Sequence, residues 1–536
     1  MKTITTFLMT AFMISLTASL NAQTFEMVKD INPSGDGFPK NIKAMNDYLF
    51  FVADFNDGHD LRLARTDGTT AGTQIIPEIN GGGANVTGIK SQMAVLNGEI
   101  YMSLAHEFDG YELWKTDGNT FEEIKNIENP TGPGLGSEVK ELTTYSGKIY
   151  FSAIDDINGE ELWVTDGTTA GTLMLKDINP SGSSSPLEFT EYNTKLYFSA
   201  TDGTNGVELW VTDGTNSGTQ MLKDINPAGD SSPQDFTEFN GKLYFRAFTP
   251  ADGFELWVTD GTASGTQMLK DIHPTGSSNP HHFYEYNGKL YFPAIDGTHG
   301  WELWVTDGTE VGTQMLKDIN PTGDSYPDFF AEYNGTLYFS AKDGSNGYEL
   351  WTTDGTAAGT QMFKDINPGS GAGFFIDPAF TEYNGKLYFI AEDGSNGDEL
   401  WVTDGTAAGT EKIQPATTGA FPLSYNPYLT EFDGALYFSA DYDTHGNELW
   451  KLTAPNLSVD DLTLEEVKIY PNPVNDLLQI QSDQEIVGIA LYSLTGQKLQ
   501  TWENQDDINL SSYASGIYFV KVETSVGIKT TKIIKE

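Results

Sequence analysis

In the stretch Glu208 to Thr212 (ELWVT), Leu209 and Val211 fall on one face of an extended chain and Trp210 on the other. In Lys195 to Ala200 (KLYFSA), Tyr197 likewise opposes Leu196 and Phe198. A strand with one wet face alternates apolar and polar, so strands that are apolar on both faces belong to sheets covered on both sides. The pattern around them recurs. Trp163, Trp210, Trp257, Trp304 and Trp351 stand at a constant interval (210 − 163 = 47), and ELW occurs eight times. A unit of about 40–50 residues that cannot bury its faces alone is the signature of a stacked repeat, here a β-propeller blade of four strands.

One unit reads as four short strands. Phe189 to Tyr192 and Lys195 to Ala200 flank Asn193-Thr194. Sister copies carry Asn97-Gly98, Asn240-Gly241, Asn287-Gly288, Asn334-Gly335, Asn384-Gly385 and Asp433-Gly434 at that place. Asn-Gly and Asp-Gly supply the positive φ angles of a type I′ hairpin. Glu208 to Thr212 forms the third strand. The turn Asp213 to Gly218 leads into Thr219 to Ile225 as the fourth, and Asn226-Pro227 ends the pairing.

The hairpin and the third strand each occur nine times, if the degenerate stretch Asp60 to Thr66 without tryptophan is included. Fourth strands follow only eight turns, at Asp67, Asp117, Asp166, Asp213, Asp260, Asp307, Asp354 and Asp404; the copy ending at Trp450 lacks one. Phe25 to Pro33 (FEMVKDINP) matches the fourth-strand sequence and precedes the first hairpin. Pairing of this segment beside Glu448 to Leu452 closes the ring and leaves no free edge. The expected fold is therefore all-β: nine blades closed by the N-terminal strand. Eight blades with one aberrant unit, or an open solenoid, stand as alternatives.

The ends carry different information. Lys2, an apolar run from Phe7 to Leu20 broken only by Ser and Thr, and then Asn21-Ala22-Gln23 read as a signal peptide over 1–22 cleaved after Ala22. The run is shorter than the roughly 20 residues of a spanning helix, so no transmembrane segment is expected in the mature chain. The repeats occupy 23–454 and an acidic linker 455–466. Residues 467–536 show short alternating strands at close spacing, which suggests an Ig-like β-sandwich of about seven strands.

That last segment resembles the type A C-terminal sorting domain of the type IX secretion system of Gram-negative bacteria. The matching residues are Tyr470-Pro471-Asn472-Pro473, the stretch Tyr492 to Gly496, Ser515-Gly516-Ile517-Tyr518, and the terminal Lys532-Ile533-Ile534-Lys535. The resemblance implies passage across the outer membrane by the secretion machinery, removal of the domain near its linker, and a product released or fixed to the cell surface. The preceding units are similar to the ELWxxDGT-repeat secreted proteins, with Glu208-Leu209-Trp210 and Asp213-Gly214-Thr215 as the full signature. That resemblance implies fold and destination and no established activity.

Composition narrows the function. A net charge of −46 makes nucleic acid and anionic lipid unfavourable partners, leaving cations, neutral glycans and surface proteins. The absence of cysteine excludes thiolate chemistry and disulfide stabilisation. The acidic D-x-x-N-G-x-E loops offer oxygen ligands of the kind calcium takes: Asp155, Asn158 and Glu161; Asp202, Asn205 and Glu208; Asp343, Asn346 and Glu349; Asp393, Asn396 and Glu399. Their spacing is not that of an EF-hand, and Asx turns account for the same residues. Four of the seven histidines, His273, His281, His282 and His299, lie in two adjacent units; they form a zinc candidate only if they gather in space, since His273 and His299 replace repeat asparagines.

No G-x-S-x-G elbow or HExxH motif occurs. The expectation is thus a secreted or surface-held binding or adhesion module for a glycan or surface protein. The alternative is a polysaccharide hydrolase or lyase using carboxylates at the channel. A unique site would be expected in the irregular first, second or last unit, and a binding module would show several equivalent weak sites.

Overall fold

The computed structural model describes residues 23–56, 61–77, 93–106, 110–127, 136–395, 397–414, 428–454, 467–482, 486–493, 498–502, 505, 507–524 and 527–536. The expected signal peptide (1–22) and linker (455–466), together with Asp60, Asn396 and Gly496, lie outside them. The described chain divides into two compact units, one spanning Thr24–Ala454 and one lying within Pro455–Glu536.

Among the described residues, the first unit holds nine four-stranded antiparallel sheets. Eight are consecutive up-and-down meanders: the first (40–75), second (94–125), third (140–176), fourth (187–223), fifth (234–270), sixth (284–317), seventh (328–364) and eighth (381–412). The ninth is built from both ends of the unit. Thr430–Phe432, Ala435–Ala440 and Glu448–Thr453 are completed by Thr24–Lys29, in the register Phe25↔Leu452 and Met27↔Trp450. Pairing the N-terminal segment there leaves the last third-strand without an open edge, as its fourth-strand sequence requires.

Successive sheets share cores, which is why both strand faces are apolar. Leu209 and Val211 of the fourth sheet pack with Leu243, Phe245 and Trp257 of the fifth. Leu256 and Val258 pack in turn with Leu290, Phe292 and Trp304 of the sixth. The succession returns on itself: Leu49, Phe51 and Ala64 of the first sheet share a cluster with Ala435, Tyr437 and Leu449 of the ninth. Trp210 is only 5 % exposed, and its counterparts are equally buried, so they serve as core rather than as a surface platform.

The hairpins have the expected left-handed turns, for example φ 49° at Asn240 and 69° at Gly241. Tyrosines just before these turns tie neighbouring sheets: Tyr192 Oη donates to the Gly241 carbonyl at 2.7 Å and Tyr286 Oη to that of Gly335 at 2.7 Å. A cavity of about 660 Å³ is lined by Ile42, Tyr284, Phe329, Thr381 and Tyr428, drawn from or beside the first strands of the first, sixth, seventh, eighth and ninth sheets, so these strands converge on a common space.

The C-terminal unit is a three-stranded sheet (Lys468–Tyr470, Leu477–Gln481, Asp507–Asn509) and a four-stranded one (Lys498–Trp502, Ile486–Ser493, Gly516–Thr524, Gly527–Lys535). The two sheets share one core including Leu478, Ile480, Leu491, Ile508, Val520 and Ile533. The sorting residues meet here. Tyr470-Pro471 and Asn472-Pro473 are cis. Asn472 donates from Nδ2 to the Lys532 carbonyl at 2.8 Å and accepts from the Ile534 N–H at 2.9 Å. Gly516 pairs with Lys535, whose buried side chain donates to the Glu536 carbonyl.

Candidate functional site

The acidic loops split into two separate hydrogen-bonding systems. Asp202 accepts from the backbone N–H groups of Thr204 and Asn205 and, through Oδ2, from Asn205 Nδ2 at 2.7 Å; Asp155 with Asn158 and Asp343 with Asn346 do the same. These are Asx turns. Burial pushes the Asp202 carboxyl up, but the bonds from Asn205 and Thr204 outweigh it and hold it below its ordinary value.

The glutamates lie within the third strands and point elsewhere. Glu208 is fully buried and accepts from Ile225 N (2.6 Å), Ser231 N (3.1 Å) and Ser231 Oγ (2.6 Å), so it ties its strand to the loop that leads to the next sheet. Glu161 and Ser184 repeat this arrangement, and Glu349 does so with Ile366 and Gly373. Burial raises the Glu208 and Glu349 carboxyls to about 7, against the partial opposition of these hydrogen bonds. In the eighth unit, where residues 415–427 lie outside the described residues, Lys412 contacts both Asp393 Oδ2 (2.8 Å) and Glu399 Oε2 (2.6 Å).

The turn of the signature is equally mechanical. Asp213 accepts from the N–H and hydroxyl of Thr215, Thr215 Oγ1 accepts from Gly218 N, and Thr212 and Thr219 share a hydroxyl bond at 2.7 Å. The residues that recur in every unit are therefore occupied in holding the sheets together. Chemistry specific to this chain must sit where the units differ.

Two variable positions are neighbours in four successive units, the third to the sixth. The residue before ELW offers its carbonyl to the N–H of a left-handed residue on the following loop: Glu160 to Ser185, Val207 to Ser232, Phe254 to Asn279, Trp301 to Tyr326. The frame is constant and the side chains are not. At the sixth sheet the pair is two aromatic rings, Trp301 and Tyr326, stacked at 6.0 Å between centroids. Lys342 lies 4.9 Å above the Tyr326 ring and 5.2 Å above that of Tyr348. Tyr326, Lys342 and Tyr348, with Asp328, Phe374 and Phe375, line a cleft of about 480 Å³, and Trp301 stacks on Tyr326 beside it. Tyr326 is 38 % and Phe375 64 % exposed, and Tyr326 holds φ 43°, a costly conformation for a bulky side chain.

A charged group lies at the edge of this cleft. His282 Nδ1 lies 2.7 Å from Asp328 Oδ1, and this hydrogen bond raises the imidazole above its ordinary value. The His282 N–H reaches Asp235, which pairs with Arg246 at 3.0 Å. His281 contacts both His282 (ring centroids 4.8 Å) and Trp301 (5.2 Å). Of the four histidines singled out in the sequence, His281 and His282 meet here. His299 stands in its own Asx-type loop with Asp296, as Asn205 does with Asp202. The two imidazoles and the Trp301–Tyr326 pair thus lie in the regular copies, around the sixth and seventh sheets. Comparison of the units with one another was the signal available: Trp301 stands where Val207 does, and Tyr326 where Ser232 does.

Residues 468–536 match the model of the secretion system C-terminal sorting domain. No curated protein sequence matches the chain. Among solved structures, the chain is similar to a puromycin hydrolase S511A mutant complexed with PGG (13 % identity, 77 % of this chain and 60 % of that one, TM-score 0.36). It is also similar to the extracellular domain of a putative one-component system from B. thetaiotaomicron (12 %, 91 % and 72 %, TM-score 0.32). A third is a prolyl endopeptidase structure (11 %, 70 % and 55 %, TM-score 0.39). The chain spans less than two thirds of the hydrolase and endopeptidase structures. The sorting domain makes this chain cargo of the type IX secretion machinery and a secreted or cell-surface protein. Among the described residues no helix is long and apolar enough to cross a membrane.

Proposed function

We propose that the chain is a nine-bladed β-propeller of the ELWxxDGT type that binds glycan on or near the cell surface, through the aromatic cleft at its seventh blade. Its parts are a signal peptide (1–22), the propeller (23–454), a linker (455–466) and the sorting domain (467–536). Closure by Thr24–Lys29 and the cyclic succession of shared cores support the propeller.

The observation that carries the binding reading is the Trp301–Tyr326 stack beside a cleft with Lys342 and Asp328 at its edge. Exposed aromatic rings present flat apolar faces to the C–H faces of sugars, while neighbouring charged groups meet hydroxyls and fix orientation. Retaining the strained Tyr326 backbone in a frame that accepts serine or asparagine elsewhere supports a selected role for that ring. The acidic loops enter as turn formers, and any calcium contribution from them is a separate question.

A glycan array probed with the full chain, with calcium and again with chelator, tests the reading. Binding to a defined glycan class that is lost in Trp301→Ala and Tyr326→Ala is expected; loss with chelator that calcium restores and zinc does not would add a calcium site. Cleavage of a polysaccharide, or binding indifferent to both substitutions, would replace this reading with the hydrolase alternative or with another surface.

A further inference from the structure

His281 and His282 are adjacent in sequence, and adjacent residues of a regular strand point to opposite faces. Here they do not. His282 takes φ 47°, and the turn brings the two rings to 4.8 Å. Asp328, from the first strand of the next sheet, completes a group in which one ligand atom from each residue lies within 4.8 Å of the other two. No other group of three or more His, Asp or Glu side chains this close occurs among the described residues.

The protonation pattern suits a metal. His281 Nδ1 is 2.9 Å from the Asn279 carbonyl oxygen, which can only accept, so Nδ1 carries the proton and Nε2 keeps its lone pair. A backbone carbonyl fixing the far nitrogen of a histidine is the usual support of a metal-binding imidazole. His282 and Asp328 share a proton at 2.7 Å that a cation can displace, and the facing Asp235 is offset by Arg246. The equivalent pairs in other units are Lys140-Glu141, Leu187-Glu188 and Gln234-Asp235, so the two imidazoles are not part of the repeat.

We infer that His281, His282 and Asp328 form a site for one divalent transition-metal ion, zinc by ligand type, at the edge of the aromatic cleft. Two imidazoles and a carboxylate favour zinc over calcium or magnesium, and three protein ligands leave a coordination position for water or a ligand group. The inference is independent of what the cleft binds, because the ligands are provided by the fold alone.

The test is calorimetric titration of zinc chloride into the full chain after treatment with chelator, paired with thermal melts with and without zinc. A single equivalent bound, with a zinc-dependent rise in melting temperature, is expected for the wild type. His281→Ala and Asp328→Asn should weaken zinc by at least about tenfold, and lose the zinc-dependent rise while melting normally without metal. His273→Asn and His299→Asn should bind as the wild type does, and excess calcium should not compete. Absence of zinc binding in the wild type, unchanged affinity in His281→Ala, or equal loss in His299→Asn would overturn the site.

Discussion

Ser231 donates its hydroxyl to the buried carboxylate of Glu208 at 2.6 Å, joining the strand that bears the ELW signature to the loop that leads into the next sheet. With the amides of Ile225, Asn226 and Ser231 the carboxylate has four donors and no cation among its bonded partners. Burial dominates, and the carboxyl is pushed up to about 7 from its ordinary 4.5. Glu112, Glu302, Glu349 and Glu448 share that shift, so the fold carries a repeated set of carboxyls that are easier to protonate folded than unfolded.

Stability is therefore expected to fall as pH rises. Between 4.5 and about 7 these carboxyls hold more protons in the folded than in the unfolded chain, so each unit of pH in that window removes stability. The turn aspartates act oppositely. Asp166, Asp213 and Asp260 are held below 3.8, chiefly by their hydrogen bonds to the following threonine side chain, and their contribution is lost only as pH falls below that value. The melting temperature should peak between about 4 and 5 and drop by several degrees by pH 8. High salt screens the surface charge but not the buried groups, so the trend should persist there, and Glu208→Gln should lessen it by that one group's share. A melting temperature that is level or rising from pH 5 to 8 in high salt would exclude the buried carboxyls as its source.

How much of this was legible follows from which residues act locally. The N-terminal strand was readable because Phe25 to Pro33 repeats the fourth-strand sequence, and it pairs Met27 with Trp450. The hairpins were readable because Asn240-Gly241 and its sisters name their own φ angles. The glutamates were harder: Glu208 is three residues from Asn205 in the chain, but strand geometry turns it inward toward a serine 23 residues on. The aromatic pair depends on a left-handed backbone at Tyr326 that the local sequence Ser325-Tyr326-Pro327 does not announce. The His282–Asp328 contact bridges two sheets, beyond any local pattern.

The glycines of the signature separate two costs. Gly214 holds φ +89°, and a Cβ there would stand 2.5 Å from the Tyr150 hydroxyl of the preceding sheet; Gly241 holds φ +69° with nothing within 4 Å of its Cβ position. At either position alanine would have to hold left-handed backbone, at about 1 kcal/mol. Gly214→Ala must also push apart two sheets and should cost roughly 1–3 kcal/mol more. Chemical denaturation of the two variants checks this, and equal losses would show that the close approach to Tyr150 is not limiting.

Tyr326 should trade stability against binding. Its φ of 43° is poor for a large side chain, and Asn279 occupies the equivalent place one unit earlier at φ 46°. Asparagine tolerates this conformation, so Tyr326→Asn is expected to stabilise the chain by roughly 0.5–1 kcal/mol. It also removes the ring stacked on Trp301 and should abolish glycan binding. Denaturation midpoint and glycan affinity measured on the same variant decide the matter: a less stable variant, or one that keeps its affinity, counts against strain held for binding.

Asn472 joins the two ends of the sorting domain. Its side-chain amide donates to the Lys532 carbonyl and accepts from the Ile534 N–H, so the Pro471-Asn472-Pro473 motif grips the terminal strand that carries Lys532 and Lys535. Both bonds are lost in Asn472→Ala, which should destabilise this unit by about 1–2 kcal/mol. Asn472→Asp keeps an acceptor for Ile534 but loses the donor to Lys532, so it should fall between. If the secretion machinery reads the terminal strand in its docked form, secretion efficiency should follow the same order: wild type, then Asn472→Asp, then Asn472→Ala. Export measured by immunoblot of medium and cell fractions gives the answer. Equal secretion of all three, with the melting of the domain lowered as expected, would mean that the machinery reads the terminal sequence without requiring its docked form.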